Sequence, residues 1–193
     1  MFTGWSANDV DRTFDWIPKE QYTGRLQYSY KHKDATINVR SELLHSKLLN
    51  RGAPLGFYKE EAEDQYFTNQ RFDNSLSYNN KIGNSSLQII MGNNNFNRVK
   101  NKYYRNLVTL EDVLVAGKAE QDTQIFNASV FRAIYGLDKA KTLGIETLIG
   151  FDGNYEIGKG NRIKKNRQEQ LDVALFASAE KQLTSFALLR GGL

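Results

Sequence analysis

The side chains that come nearest to doing chemistry in this sequence fall short in specific ways. Residues 153–159 read G-N-Y-E-I-G-K, the opening of a phosphate-cradling loop of the form G-x4-G-K. That loop continues with Ser or Thr, whose hydroxyl holds magnesium, whereas here the next residue is Gly160. The strand before it alternates in polarity, unlike a buried parallel strand, and no helical period follows. Glu146 and Asp152 share a strand face, but they stand six positions apart with no basic partner in the pattern. Wet, solvated carboxylates fit that spacing better than an acid–base pair. With two histidines and no cysteine, disulfides are excluded and a thiolate or histidine-rich metal site is not expected; an all-carboxylate site stays open, with nothing in the pattern to support it. Nucleophile-elbow and zinc motifs are absent. The sequence therefore nominates no catalytic, cofactor-binding or metal-binding residue and no enzyme activity.

Charge is the other candidate for function. The formal net charge is +4, spread along the chain, with one local cluster at Arg98, Lys100, Lys102 and Arg105. A second cluster comprises Lys159, Arg162, Lys164, Lys165 and Arg167. Both clusters read as solvated loop charge rather than a nucleic-acid surface.

The elements that must position these residues are strands. In the last quarter of the chain Ile145, Thr147, Ile149, Phe151 and Tyr155 alternate with Glu146, Leu148, Gly150, Asp152 and Asn154, the period-two pattern of a strand. Leu171, Val173, Leu175, Ala177 and Ala179 share a face in the next, and a last strand runs on to Leu193. Upstream, strands are expected near 20–30, 35–43, 65–78, 85–104 and 123–135. The Gly92-Asn93-Asn94-Asn95 run is read as continuing the fourth strand rather than turning it. In the fifth, Phe126, Ala128, Val130 and Ile134 are read as the apolar face, with Arg132 breaking it at an interfacial depth. Short turns are expected near 31–34, 79–84, 137–142 and 180–184, and long loops near 50–64, 106–121 and 157–169. Within the second loop LEDV gives the only hint of a helical turn.

Short and long connections thus alternate, which is how outer-membrane β-barrels are strung. Mean hydropathy is -0.58, which carries no membrane signal; a barrel strand gives only half its residues to lipid, so none is required. The expected fold is all-β, an antiparallel up-and-down transmembrane barrel fragment of about eight strands. The start of the chain lacks the basic and apolar regions of a signal peptide, and the last strand stops mid-pattern. Residues 1–193 therefore read as one partial barrel domain, truncated at both ends.

The order of Trp16-x-Pro18 with QYTGRLQYSY, then DNSLSYNN, then GIETLIGFDGNYEIGKGNRI, then LDVALFASAEKQLTSFALLRGGL resembles the barrel of TonB-dependent outer-membrane receptors. The resemblance covers most of the chain from about Trp16, and its specificity lies in order and spacing. It implies a plugged barrel of the 22-stranded transporter class. It also implies residence in the outer membrane, with lipid as one partner and the TonB energy-transducing complex as another, reached through a plug that has no match in this chain. The implied function is uptake of a small, scarce extracellular ligand such as a metal chelate, cofactor or glycan. A passive porin-like barrel and a soluble β-barrel binding module stay open beside it.

In a barrel the faces divide lipid from lumen. Leu26, Tyr28, Ile37, Val39, Leu76, Leu87, Ile89, Ile149, Leu175 and Ala177 are expected to point outward. Arg25, Gln27, Asn38, Arg40, Glu42, Arg71, Asp73, Glu146 and Asp152 are expected to face the lumen. The basic loop of Lys159, Arg162, Lys164, Lys165 and Arg167 is expected to be extracellular.

Overall fold

The computed structural model describes residues 12, 19–117, 120–137, 144–185 and 187–192. Among them is one antiparallel sheet and no α-helix. Eight strands follow one another in chain order, each paired with the next: β1 (Lys19–His32), β2 (Ala35–Asn50), β4 (Glu61–Ile82), β5 (Ser85–Asn106), β7 (Asp122–Leu137), β8 (Ile145–Lys159), β9 (Arg167–Gln182) and β10 (Leu188–Gly192). Two short strands lie off this path, β3 (Pro54–Leu55) on β4 and β6 (Asp112–Leu114) on β5. The path ends at β1 and β10, so the sheet is not closed.

The strands outrun the pattern that announces them. β4 and β5 are 22 residues each, and β5 runs through the asparagine cluster at 93–95 as expected, ending at Asn106. Two expected connections shrink accordingly. The turn at 79–84 is only Gly83 and Asn84, and the loop at 157–169 is only 160–166, because β8 and β9 pair to their ends. The β1–β2 and β4–β5 hairpins are closed by two residues each, with Lys33 at φ 52 and Gly83 at φ 61. A left-handed first residue matches the twist of the flanking strands. LEDV is not a helical turn: Leu110 has φ 62, and Asp112 already belongs to β6. The link expected at 137–142 lies outside the described residues after Leu137. The long connections at 51–60, 107–121 and 160–166 leave one end of the sheet, and the remaining links leave the other.

A single layer has no interior. Among the described residues Ala62 is the one buried hydrophobic, while Leu26, Leu171 and Leu175 are 71%, 68% and 78% exposed. Strand pairing fixes which residues share a face. One face carries Tyr28, Val39, Leu76, Met91, Phe131 and Val173 in a single register row, with Tyr30, Ile37, Tyr78, Ile89, Ala133, Phe151 and Leu175 in the next. This apolar band crosses the sheet obliquely. Toward the long-loop end it begins at Tyr22 on β1, but on β9 at Leu171, which lies in the row of Leu26. A band of constant height on tilted strands must step in register this way.

β7 corrects the sequence reading. Its even residues Phe126, Ala128, Val130 and Ile134 lie on the same face as Arg25, Glu42 and Asp73, while Ile125, Phe131, Ala133 and Tyr135 carry the apolar band. Both of its faces are apolar enough that alternation alone does not choose between them. Arg132 does not break an outward face, because it stands on the other one.

Candidate functional site

The face opposite the apolar band carries every residue expected at the lumen: Arg25, Gln27, Asn38, Arg40, Glu42, Arg71, Asp73, Glu146 and Asp152. On β1, β2 and β4 these residues form a charge cluster. Glu42 accepts from Arg25 Nε at 2.9 Å and Arg40 Nη2 at 2.6 Å, and Arg71 Nη2 stands 3.9 Å away. Arg71 Nε lies 2.7 Å from Asp73, which also accepts from Asn94. Three guanidiniums meet two carboxylates, leaving one positive charge in excess. One row on, Ser29 donates to Asn38 at 2.7 Å and Asn38 to Ser77 at 3.2 Å, a relay of neutral polar groups.

The same face on β7 to β9 is built differently. Val130, Ile134, Leu148 and Phe176 give it an apolar stretch, crossed by a bidentate pair in which Arg132 donates to Asp152 at 2.5 and 2.8 Å, while Asn154, Glu156, Gln170 and Asp172 keep it polar toward the long loops. Arg132 is the basic partner that Asp152 lacks within its own strand. The pair borders a depression of about 480 Å³ with Ile90, Val130 and Ala174. Gly150 lies beneath Phe176, whose ring occupies the place a Cβ would take, 2.0 Å from the nearest ring carbon. Glu146 is not brought to Asp152; it faces Glu180 across the strands, and Glu180 binds Arg190 at 2.7 Å.

The long-loop end is tied together by polar side chains. Lys102 Nζ lies 2.8 Å from Glu63 and 3.4 Å from Glu120. Donation from Lys102 holds the Glu63 carboxyl below the usual range, and the same bond raises Lys102. Gln121 donates to the carbonyls of Lys102 and Val115 at 3.0 and 3.1 Å. Asn161 donates to the Gln121 carbonyl at 3.3 Å, and Arg162 stands 3.4 Å from the buried Asp122, so the β8–β9 hairpin tip is laced to the loop before β7. At the same end Asp64, fully buried, binds Arg12 and accepts from the Gly52 amide at 3.1 Å. A Cβ on Gly52 would sit 2.2 Å from the Glu63 carbonyl, so this approach requires glycine. Burial and the Asp64 charge push the Tyr66 phenol up to about 12. The sequence places Asp64 at the end of the long loop near 50–64, whereas β4 already begins at Glu61, and nothing in the sequence announces the distant Arg12 as its partner.

The basic loop divides. Lys159 closes β8 and Arg167 opens β9, paired across the strands, while Arg162, Lys164 and Lys165 sit on the tip. In the other basic cluster, Arg98 stacks 4.8 Å over Phe67 and Arg105 binds Asp112 at 2.9 Å. Among the described residues no three His, Cys, Asp or Glu converge to hold a metal ion. What the charged cluster on β1, β2 and β4 offers is charge-assisted hydrogen bonding and a cationic surplus.

Solved structures decide the architecture. BauA, the ferric preacinetobactin receptor from Acinetobacter baumannii, superposes with a TM-score of 0.55 at 8% identity, over 91% of this chain and 30% of that one. The chain is folded like part of an outer-membrane receptor barrel. The ferric citrate transporter FecA gives a TM-score of 0.48 at 12% identity, over 91% and 27% of the two chains. The ferric yersiniabactin uptake receptor FyuA from Yersinia pestis gives 0.45 at 14%, over 88% and 27%. The fold likeness rests on BauA, of whose length this chain spans less than a third. No protein-family model and no curated protein matches the sequence.

Proposed function

We propose that this chain is a barrel segment of a TonB-dependent outer-membrane receptor that takes up a scarce extracellular ligand, such as a metal chelate, cofactor or glycan. The observation that carries this reading is the apolar band: one face is apolar from β1 to β9, and it steps obliquely across the register as a membrane-level band on tilted strands must. In water such an uncovered face would far exceed the few hundred Å² that soluble proteins tolerate. The band therefore faces lipid. Arg25, Arg40, Glu42, Arg71, Asp73, Glu146 and Asp152 line the lumen. The two-residue turns are periplasmic, and the long loops, with Arg162, Lys164 and Lys165 at one tip and Lys159 and Arg167 flanking it, are extracellular. Further strands complete the barrel, and a plug outside this chain couples it to TonB.

Topology tests the reading. An epitope tag after Gly160 in the complete protein is expected to be detected on intact cells. A tag after Lys139 is expected to stay hidden until the cells are permeabilised. The reverse pattern inverts the barrel and removes the long loops from any ligand site; no surface exposure of either tag overturns outer-membrane residence.

A further inference from the structure

The apolar face holds a polar island. On β2 Ser41 stands between Val39 and Leu43, and on β4 Asn74 stands between Leu76 and Phe72. On β7 Ser129 and Asn127 stand between Phe131 and Ile125, and on β5 Asn93 and Asn95 follow Met91. Strand pairing puts Ser41, Asn74, Asn93 and Ser129 in one row, with Leu26 at one end of it and Tyr155 at the other. Asn95 and Asn127 are paired in the next row toward the long loops. On β2, β4 and β7 the face returns to apolar residues beyond the island, which therefore lies within the band and not above it. Its members carry no charge and are only partly paired. Ser41 donates to Asn74 and Asn93 to Ser129, both at 2.9 Å, and Asn95 donates to Asn93. Among the described residues the Asn74 amide nitrogen, the Asn95 carboxamide oxygen and the whole Asn127 carboxamide make no hydrogen bond.

Carboxamides left unpaired against hydrocarbon are unfavourable, and acyl chains offer neither donor nor acceptor. Whatever covers the island must bring both, carry no net charge there, and stand at the same depth. A second copy of this chain meets all three conditions. A two-fold axis along the membrane normal keeps every residue of the copy at its own depth, so that island meets island. A carboxamide is its own complement, since it holds two N–H donors and an acceptor oxygen. With the axis between β4 and β5, the cross-strand neighbours Asn74 and Asn93 lie nearest to it, and Asn74 of each copy faces Asn93 of the other. Ser41 and Ser129 flank this pair, and such small side chains let two barrel walls approach closely. Leu43, Phe72 and Met91, all exposed, ring the contact with apolar surface that excludes water from it.

We propose that two copies of the complete protein pair in the membrane through this island, the Asn74 and Asn93 carboxamides hydrogen-bonding across a two-fold axis. The pairing rests on the reading that the apolar band faces lipid. To test it, two differently tagged copies of the complete protein, freed of any cysteine outside this chain, are expressed together. One carries Leu76→Cys and the other Met91→Cys, cross-strand neighbours one row from the island that leave its polar groups intact. Oxidation in isolated outer membranes is expected to give a disulfide-linked product that carries both tags and has the mass of two copies. Leu175→Cys in both copies, on the same face of β9, is expected to give none. Adding Asn74→Leu and Asn93→Leu to both cysteine-bearing copies is expected to lower the linked fraction roughly tenfold, the loss of two symmetry-related hydrogen bonds, while heat-modifiable gel mobility persists. A monomer only, equal linking through Leu175→Cys, a product of any other mass, or linking that the leucine changes leave untouched overturns the pairing alone. Absence of the protein from the outer-membrane fraction overturns the lipid-facing reading as well.

Discussion

On β1, β2 and β4 the face opposite the apolar band is made of charge, with Arg25, Arg40 and Arg71 gathered around Glu42 and Asp73. On β7 to β9 the same face carries Val130, Ile134, Leu148 and Phe176 around the pair of Arg132 and Asp152, with Glu156 and Asp172 on one side of this stretch and Glu146 and Glu180 on the other. The two regions share a backbone arrangement and differ in what keeps their faces distinct. In the first, alternation of polarity identifies the faces residue by residue. In the second, β8 and β9 still alternate, but β7 is apolar on both faces, and only cross-strand register tells those apart. If this face is the lumen side, as proposed, it does not have to be polar throughout; it has to be free of lipid. The glycine at 150 belongs to this second style, since it lets Phe176 lie flat on the sheet rather than project from it.

The largest expected effect tests the division where it is least visible. Ile149 stands on the band face of β8, and Ala174 stands on the opposite face of β9, in the row of Asp152 and Arg132. In the complete protein folded into lipid vesicles, Ile149→Arg is expected to cost ~2–4 kcal/mol by urea titration, the cost of a cation near mid-membrane if the band faces lipid as proposed. Ala174→Arg is expected to cost far less, having water and Asp152 within reach. Equal costs at the two sites would erase the distinction between the faces of β7 to β9.

Next in size is the flattened apolar region. Gly150→Ala places a methyl group inside the Phe176 ring, at an expected cost of about 1–3 kcal/mol for overpacking. Phe176→Leu on the same background is expected to recover much of it, because the clash is with the ring and not with backbone. Additive losses in the double variant would show that the two residues do not share this space.

These regions also show how much of the fold could be read in advance. The strand count, antiparallel order and placement of long and short links follow from alternation and turn residues, because each strand carries its own local signal. Arg25, Glu42, Arg71 and Asp73 were legible for the same reason: charges alternating with Leu26, Leu43 and Phe72 mark their face. The face of β7 was not, because Phe126, Val130 and Ile134 alternate with Ile125, Phe131 and Ala133, and either set could meet lipid. The partnerships Arg132 with Asp152 and Arg12 with Asp64 were also hidden. They join residues distant in the chain, and only the register of already folded strands brings them together. The course of the strand through Asn93 and Asn95 was legible, but their cross-strand neighbours Ser129 and Asn127 were not, because register alone sets them.

A smaller effect is expected in the charged region. Glu42→Gln removes the carboxylate shared by Arg25 and Arg40, and leaves guanidiniums facing one another. These side chains are partly solvated, so the fall in urea midpoint is expected to be smaller than for Gly150→Ala, and to shrink further as salt screens the repulsion. Adding Arg25→Gln is expected to restore part of the loss. A fall that salt leaves untouched would mean that Glu42 acts by packing, and would make the two halves of the face more alike than their chemistry suggests.

The smallest expected effect lies beyond the apolar band, where the long strands β4 and β5 keep the charged style on their own. Glu63 has its carboxyl lowered from 4.5, chiefly by the hydrogen bond from Lys102, so its contribution is complete above 4.5 and is lost as pH falls through the lowered value. Lys102 is raised from 10.5, chiefly by the same bond, so its contribution is complete below 10.5 and is lost as pH rises through the raised value. Tyr66 is raised from 10.0 to about 12, chiefly by burial, and it too withdraws stability as alkali forces the phenol to ionise. Stability of this end, followed by hydrogen exchange of the β4–β5 amides beyond the band, is therefore expected to be flat from about pH 5 to 10 and to fall on both sides. Glu63→Gln is expected to flatten the acid limb and also to weaken the alkaline one, because Lys102 loses its acceptor. Tyr66→Phe is expected to soften the alkaline limb alone. An acid limb that survives Glu63→Gln would assign it to other carboxylates at this end, and would leave the Glu63–Lys102 pair as an ordinary solvated contact.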